Sequence, residues 1–207
     1  TRSTTLESTS VLSAQGKGGG EIKVLAGDQV NVAGKLDASA PISGDGGFVE
    51  TSANSVKVAD GTRVTTLAAN GKSGMWLIDP NDYTIGATDC VSALTCDIAG
   101  DTLVTNLNLG SVSIVSDQGA TTSASGNGDI YVNGAVVTGL SSEPWSAATT
   151  LTLTARGGVD VNAPITSTGD GNLSIYSGWN GTGSSTLPGP SNLTAPSGIS
   201  HIYLPAP

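Results

Sequence analysis

A stretch of 27 residues that occurs twice in succession constrains the fold more than any other feature. The line EIKVLAGDQVNVAGKLDASAPISGDGG begins at Glu21, FVETSANSVKVADGTRVTTLAANGKSG follows from Phe48, and MWLIDPNDYTIG continues. Ile22, Val49 and Trp76 then share one column. A repeat of this length cannot bury its apolar face alone, so successive repeats are expected to stack.

Each line alternates apolar and polar residues over short runs, as in Ile22/Val24 and Val30/Val32. Alternation with a period of two indicates strands that bury one face, and the intervening Gly, Asn and Asp favour tight turns. The prediction is an all-β fold, a parallel β-helix with coils of roughly 22–27 residues and about seven or eight coils. Asp28, Asn54 and Asn81 fall at corresponding turns, which predicts a stacked ladder.

The pattern continues less regularly to residue 178. We predict a β-helical rod over residues 1–178, with insertions near 86–110 and 139–150, and a Pro-, Ser- and Gly-rich tail or linker over 179–207. The first insertion is expected to protrude from a corner. Further inward-facing pairs are Val112/Ile114, Ile130/Val132, Leu151/Leu153, Val159/Val161 and Leu173/Ile175.

The composition excludes several classes of partner. The formal net charge is −9, whereas nucleic-acid binding and docking on anionic lipid need a basic surface. No apolar run approaches the roughly 18 residues of a membrane span, so we expect no membrane insertion. The acidic residues are scattered, with no calcium-binding loop pattern, and no cofactor is predicted.

The two cysteines, Cys90 and Cys96, lie too far apart for a Cys-x-x-Cys redox motif. A chain with one histidine lacks the ligands for zinc. We predict a short disulfide-closed loop, which implies an oxidising compartment; the alternative is two reduced thiols in a loop.

The sequence offers few candidates for catalytic residues. The one histidine, His201, lies in a Pro-rich stretch and lacks the setting of a catalytic base. Parallel β-helices can host polysaccharide-cleaving enzymes, for which Asp79 and Asp82 are the nearest pair of carboxylates. Both are also ordinary turn residues. We predict that the chain is not an enzyme.

Two groups of residues suggest surface contacts or modification. Three aromatic side chains near loops could stack on a sugar ring or be partly buried: Trp145, Tyr176 and Trp179. Three asparagines lie in glycosylation sequons: Asn172, Asn180 and Asn192.

The stretches GGFVETSANSVKVADG and GKSGMWLIDPNDYTIG resemble the signature of filamentous-haemagglutinin-like exoproteins, the two-partner-secretion adhesins of Gram-negative bacteria. WLIDP at residues 76–80 is the most specific element. NGDIYVNGAVV, SAATTLTLTARGGVDVNAPIT and GDGNLSIYSG look like the following coils. The resemblance covers roughly residues 16–178. The motifs of that family's secretion domain are not found in this sequence.

This resemblance implies a right-handed β-helix in an interior or distal part of a secreted adhesin displayed at, or released from, the bacterial surface. It implies a glycan or protein receptor on host or bacterial cells, and an outer-membrane transporter engaged by a region outside this chain. The alternatives are a β-helical module that binds or cleaves polysaccharide, and a passive spacer of the exoprotein.

Overall fold

The computed structural model describes residues 2–116, 126–136 and 144–178, and these form a β-rich fold with one short helix, α1 (Gly100–Leu107). The strands are β1 (Ser3–Leu6), β2 (Val11–Ser13), β3 (Glu21–Leu25), β4 (Gln29–Val32), β5 (Lys35–Asp37), β6 (Phe48–Ser52), β7 (Ser55–Val58), β8 (Arg63–Thr65), β9 (Met75–Asp79), β10 (Tyr83–Gly86), β11 (Ile98–Ala99), β12 (Ser111–Ser116), β13 (Ile130–Val132), β14 (Thr150–Ala155), β15 (Val159–Val161) and β16 (Asn172–Tyr176). The prediction of an all-β fold is confirmed.

The strands form three parallel sheets. The first has the order β1-β4-β7-β11-β10-β13-β15, the second β16-β14-β12-β9-β6-β3, and the third β2-β5-β8. From β1 to β9 the chain visits the three sheets in turn, so each strand from β4 to β9 lies beside its counterpart from the preceding circuit. This arrangement is compatible with a parallel β-helix.

The predicted columns appear as registered neighbours in the second sheet. Ile22 pairs with Val49, and Val49 pairs with Trp76. The column continues through Val112, Leu151 and Leu173. Inward-facing residues of all three sheets share one continuous core. Inside it, the Trp76 indole donates a hydrogen bond to Thr51 Oγ1 at 3.1 Å.

The turns stack as well. The backbone N–H of Asn81 donates to the Asn54 carbonyl oxygen at 3.1 Å, and that of Ser55 donates to the Asp28 carbonyl oxygen at 3.1 Å. The predicted correspondence of these turns is therefore confirmed for the backbone.

The insertion over residues 86–110 differs from the protruding segment that the sequence suggested. Strand β11 enters the first sheet between β7 and β10, where Ile98 pairs with both Val58 and Ile85. Helix α1 then takes the position that a further strand of the third sheet would occupy, and buries Leu103 and Leu107 in the core. Only the disulfide-closed part, before β11, extends outward.

Asn106 joins this helix to the third sheet. Its Oδ1 accepts a hydrogen bond from the Val64 N–H at 2.7 Å, and its Nδ2 donates to the Thr62 carbonyl oxygen at 3.1 Å. Nδ2 also donates to the Thr102 carbonyl oxygen at 2.8 Å. A buried amide thus satisfies backbone groups at the edge of β8 that another strand would otherwise pair.

The insertions lengthen the coils beyond the predicted 22–27 residues. Positions that face each other in the second sheet are 27 residues apart from Ile22 to Val49 and from Val49 to Trp76. The next two intervals, from Trp76 to Val112 and from Val112 to Leu151, are 36 and 39 residues. The interval to Leu173 returns to 22.

Within the described ranges, no helix has the length and apolarity needed to cross a membrane.

Candidate functional site

Of the large apolar side chains that the structure describes, Leu94 on the disulfide loop is the most exposed. Cys90 and Cys96 are bonded, as predicted, with their Cα atoms 5.2 Å apart. Leu94 at the tip is 80% exposed and has a φ of 59°. A non-glycine residue with positive φ is uncommon and persists where its surroundings hold it.

The base of this loop is held at several points. The Lys57 ammonium lies 2.6 Å from Asp97 Oδ1 and donates to the Cys96 carbonyl oxygen at 3.0 Å. Asp97 Oδ2 accepts from the Thr84 N–H at 2.7 Å. Both buried cysteines pack against Ala99. The loop therefore presents Leu94 from a fixed base.

A depression of about 410 Å³ lies between the disulfide loop and helix α1, and Asp60, Asp89 and Asp101 line it. Asp60 accepts hydrogen bonds from the Asp89 N–H at 3.0 Å and from the Thr102 hydroxyl at 3.2 Å. Asp101 accepts from the Thr102 N–H at 2.8 Å. The Asp60 carboxylate therefore joins the start of the loop to the helix. Within the described ranges, no group of three His, Cys, Asp or Glu residues is arranged to hold a metal ion.

A larger groove, of about 710 Å³, crosses the strand starts of the second sheet. Gly20, Gly47 and Gly74 lie on its floor in successive coils. A Cβ on Gly47 would overlap the Gly20 carbonyl oxygen, and one on Gly74 would overlap that of Gly47. These positions need glycine because the coils approach each other closely, and the missing side chains leave the groove open.

Hydroxyl groups lie at the β14 end of the groove and on the adjoining outer face of β12 and β14. Thr152 lines the groove and is only 7% exposed. Ser113 faces Thr152 in register on the outer face, and Thr154 lies two residues further along β14. The hydroxyls of Ser113 and Thr154 are buried without a hydrogen-bond partner.

The candidate catalytic pair has other partners. Asp82 Oδ1 accepts three backbone N–H groups, from Asn127 at 2.9 Å, Gly128 at 2.8 Å and Asp129 at 2.9 Å. Asp79 Oδ2 accepts from the Ser52 hydroxyl at 3.1 Å. Asp82 therefore serves as an anchor for the loop that precedes β13.

Two tyrosines have perturbed acidity. Burial raises the pKa of Tyr83 well above its usual value, and the nearby Asp97 carboxylate adds to the effect. The Tyr83 hydroxyl is buried without a hydrogen-bond partner. Burial also raises the pKa of Tyr131, which donates a hydrogen bond to Asp129 Oδ2 at 3.1 Å.

The residues predicted to lie at the surface differ in their exposure. Trp145 is 1% exposed, and its indole donates to Thr149 Oγ1 at 3.0 Å. Its proposed role as a ligand contact is therefore wrong, because no ring face is open. Tyr176 is half-buried on β16, and the sequon residue Asn172 is exposed. Trp179, Asn180, Asn192 and His201 lie outside the described residues.

Sequence reasoning missed the groove and pointed only broadly to the disulfide loop. Gly20, Gly47 and Gly74 each immediately precede one of the aligned lines, but in the sequence they mark only where each repeat begins. A scan against models of known protein families found no match for this chain, and neither did searches of curated proteins and of solved structures.

Proposed function

We propose that this chain is a non-enzymatic rod segment of a secreted bacterial surface adhesin, folded as a right-handed parallel β-helix. The observation that carries the proposal is the stacking of coil on coil in register, since such a stack extends a chain along one axis. Its sequence resembles that of filamentous-haemagglutinin-like exoproteins, for which this architecture is expected.

The residues that carry the resemblance have structural roles. In the WLIDP element, Trp76 and Ile78 are buried in the core, and Asp79 accepts a hydrogen bond from Ser52 in the preceding coil. Such residues maintain a rod without contacting a ligand. Their placement supports a scaffold function for this part of the chain.

The tip of the disulfide loop is the surface that we assign to attachment. An exposed leucine on a loop held by a disulfide and an ion pair loses little conformational freedom on binding, which favours affinity. In this proposal the receptor is a protein or glycan on another cell or in its matrix. The chain acts outside the cell, and a region beyond it engages the outer-membrane transporter.

A binding array tests the proposal. The folded chain is applied to immobilised glycans and matrix proteins, beside a Leu94→Ser variant and an Ile42→Ser control. Ile42 is also exposed, at 67%, but lies at a different corner. We expect a defined ligand to be retained by the control and lost by Leu94→Ser. Binding that survives in both variants would contradict the assignment to the loop, and no binding by the folded chain would favour the passive spacer.

A further inference from the structure

We propose that the glycine-floored groove binds a neutral saccharide chain lying along the rod axis. The inference rests on the adhesive function proposed above and adds a second contact surface to it. The groove and the disulfide loop contain different residues, so each can be altered alone.

The groove has the dimensions of a site for an elongated ligand. Residues of β3, β6, β9, β12 and β14 line it, so it crosses five strands. Neighbouring strands lie about 4.8 Å apart, which gives a length of about 19 Å. Its volume of about 710 Å³ is within the usual range of ligand sites, roughly 300–1,000 Å³.

The backbone of the floor is already paired, which disfavours an extended peptide. The Gly20 carbonyl oxygen accepts from the Phe48 N–H at 2.9 Å, that of Gly47 from the Met75 N–H at 3.1 Å, and that of Gly74 from the Ser111 N–H at 3.1 Å. A peptide gains affinity by adding a strand to an unpaired sheet edge. Here it would lie across the strands, and its own backbone groups would lack partners.

The end of the groove at β14 offers a hydroxyl group to a ligand. Thr152 lines the groove while more than nine-tenths buried, and its hydroxyl makes no hydrogen bond within the described residues. A hydroxyl both donates and accepts hydrogen bonds, so a ligand that bears donors and acceptors suits this position. A saccharide has such groups along its length.

At its other end, β3, β6 and β9 line the groove, and the lining there is apolar apart from one paired charge. Phe48 and Met75 are half-buried neighbours in register, suited to the apolar face of a sugar ring. The charged lining residue, Glu21, has its carboxylate 2.8 Å from the Lys23 ammonium. Because that carboxylate is already paired, an uncharged ligand suits the groove better than an anionic one.

Calorimetric titration of the whole chain tests the inference. The probes are neutral hexasaccharides of glucose, mannose, galactose and N-acetylglucosamine. Thr152→Val removes the groove hydroxyl while keeping the side-chain shape, and Thr154→Val is its matched control on the same strand and face but outside the groove. Loss of one hydrogen bond predicts a Kd about 3- to 10-fold higher for Thr152→Val, with no change for Thr154→Val.

The Leu94→Ser variant separates the two proposals. Hexasaccharide binding that is weakened by Thr152→Val but not by Leu94→Ser would support the groove. Binding by none of the four probes, or equal weakening by both threonine variants, would overturn the groove while leaving receptor binding through the loop untouched. Binding lost only in Leu94→Ser would also overturn it, and would assign the saccharide to the loop.

Discussion

Replacement of Asn106 by alanine tests whether a helix can substitute for a strand in this stack. The Asn106 side chain is buried and joins α1 to the edge of β8 through the Val64 N–H and the Thr62 carbonyl oxygen. Alanine would leave both backbone groups buried without these partners. Each such group costs about 1–3 kcal/mol, so the free energy of unfolding should fall by about 2–6 kcal/mol.

Urea unfolding, followed by far-ultraviolet circular dichroism and tryptophan fluorescence, measures this loss. With an m-value of about 3 kcal/mol per M for a chain of this size, the urea midpoint should fall by about 0.7–2 M. Thr105→Ala is the control, since Thr105 lies half-exposed on the same helix. It should change the free energy of unfolding by no more than about 0.5 kcal/mol.

A loss below about 1 kcal/mol for Asn106→Ala would refute the reasoning. That result would mean that water or a rearranged backbone satisfies the edge of β8 equally well. It would also mean that α1 adds to the stack without completing it.

Three further predictions concern the stack, the loop and the buried tyrosine. Gly74→Ala should lower the free energy of unfolding by up to about 3 kcal/mol because the new Cβ meets the coil above, whereas Gly18→Ala, which faces open space, should be neutral in the same urea assay. Replacing Cys90 and Cys96 by serine should lower it by about 2 kcal/mol, since the closed loop is short, and a reductant should do the same to the wild type; no change in either case would contradict this. The raised pKa of Tyr83 means that its stabilisation is complete below pH 10 and declines as the pH rises further. Tyr83→Phe should match or exceed the wild type at pH 7 and lose less stability above pH 10, and parallel pH curves for the two proteins would exclude the effect.

The columns of strands were predictable because two independent periods agree. Alternation within each strand fixes which residues point inward, and the 27-residue interval between the first aligned coils fixes which residues face each other across neighbouring strands. Ile22, Val49 and Trp76 satisfy both conditions, and their register follows directly from the aligned sequence.

Helix α1 was not predicted. The segment that contains the two cysteines breaks the repeat, and residues 86–110 were therefore interpreted as a single insertion. A local signal was nevertheless present, since Leu103, Val104 and Leu107 have the spacing of one helical face. The groove could not be predicted in the same way. The groove is lined by coils of unequal length. The sequence alone therefore does not reveal that Phe48 and Thr152 line the same groove, because that depends on the register of the strands.

The coil-on-coil register is tested most directly by cysteine cross-linking. With both native cysteines replaced by serine, Lys23→Cys and Glu50→Cys would face each other in register on the outer face of the second sheet. Mild oxidation should join them in a disulfide, as mass spectrometry would show, whereas Lys23→Cys with Ser52→Cys lies too far apart to react. A disulfide in the second pair, or in neither, would contradict the stacked register on which the account rests.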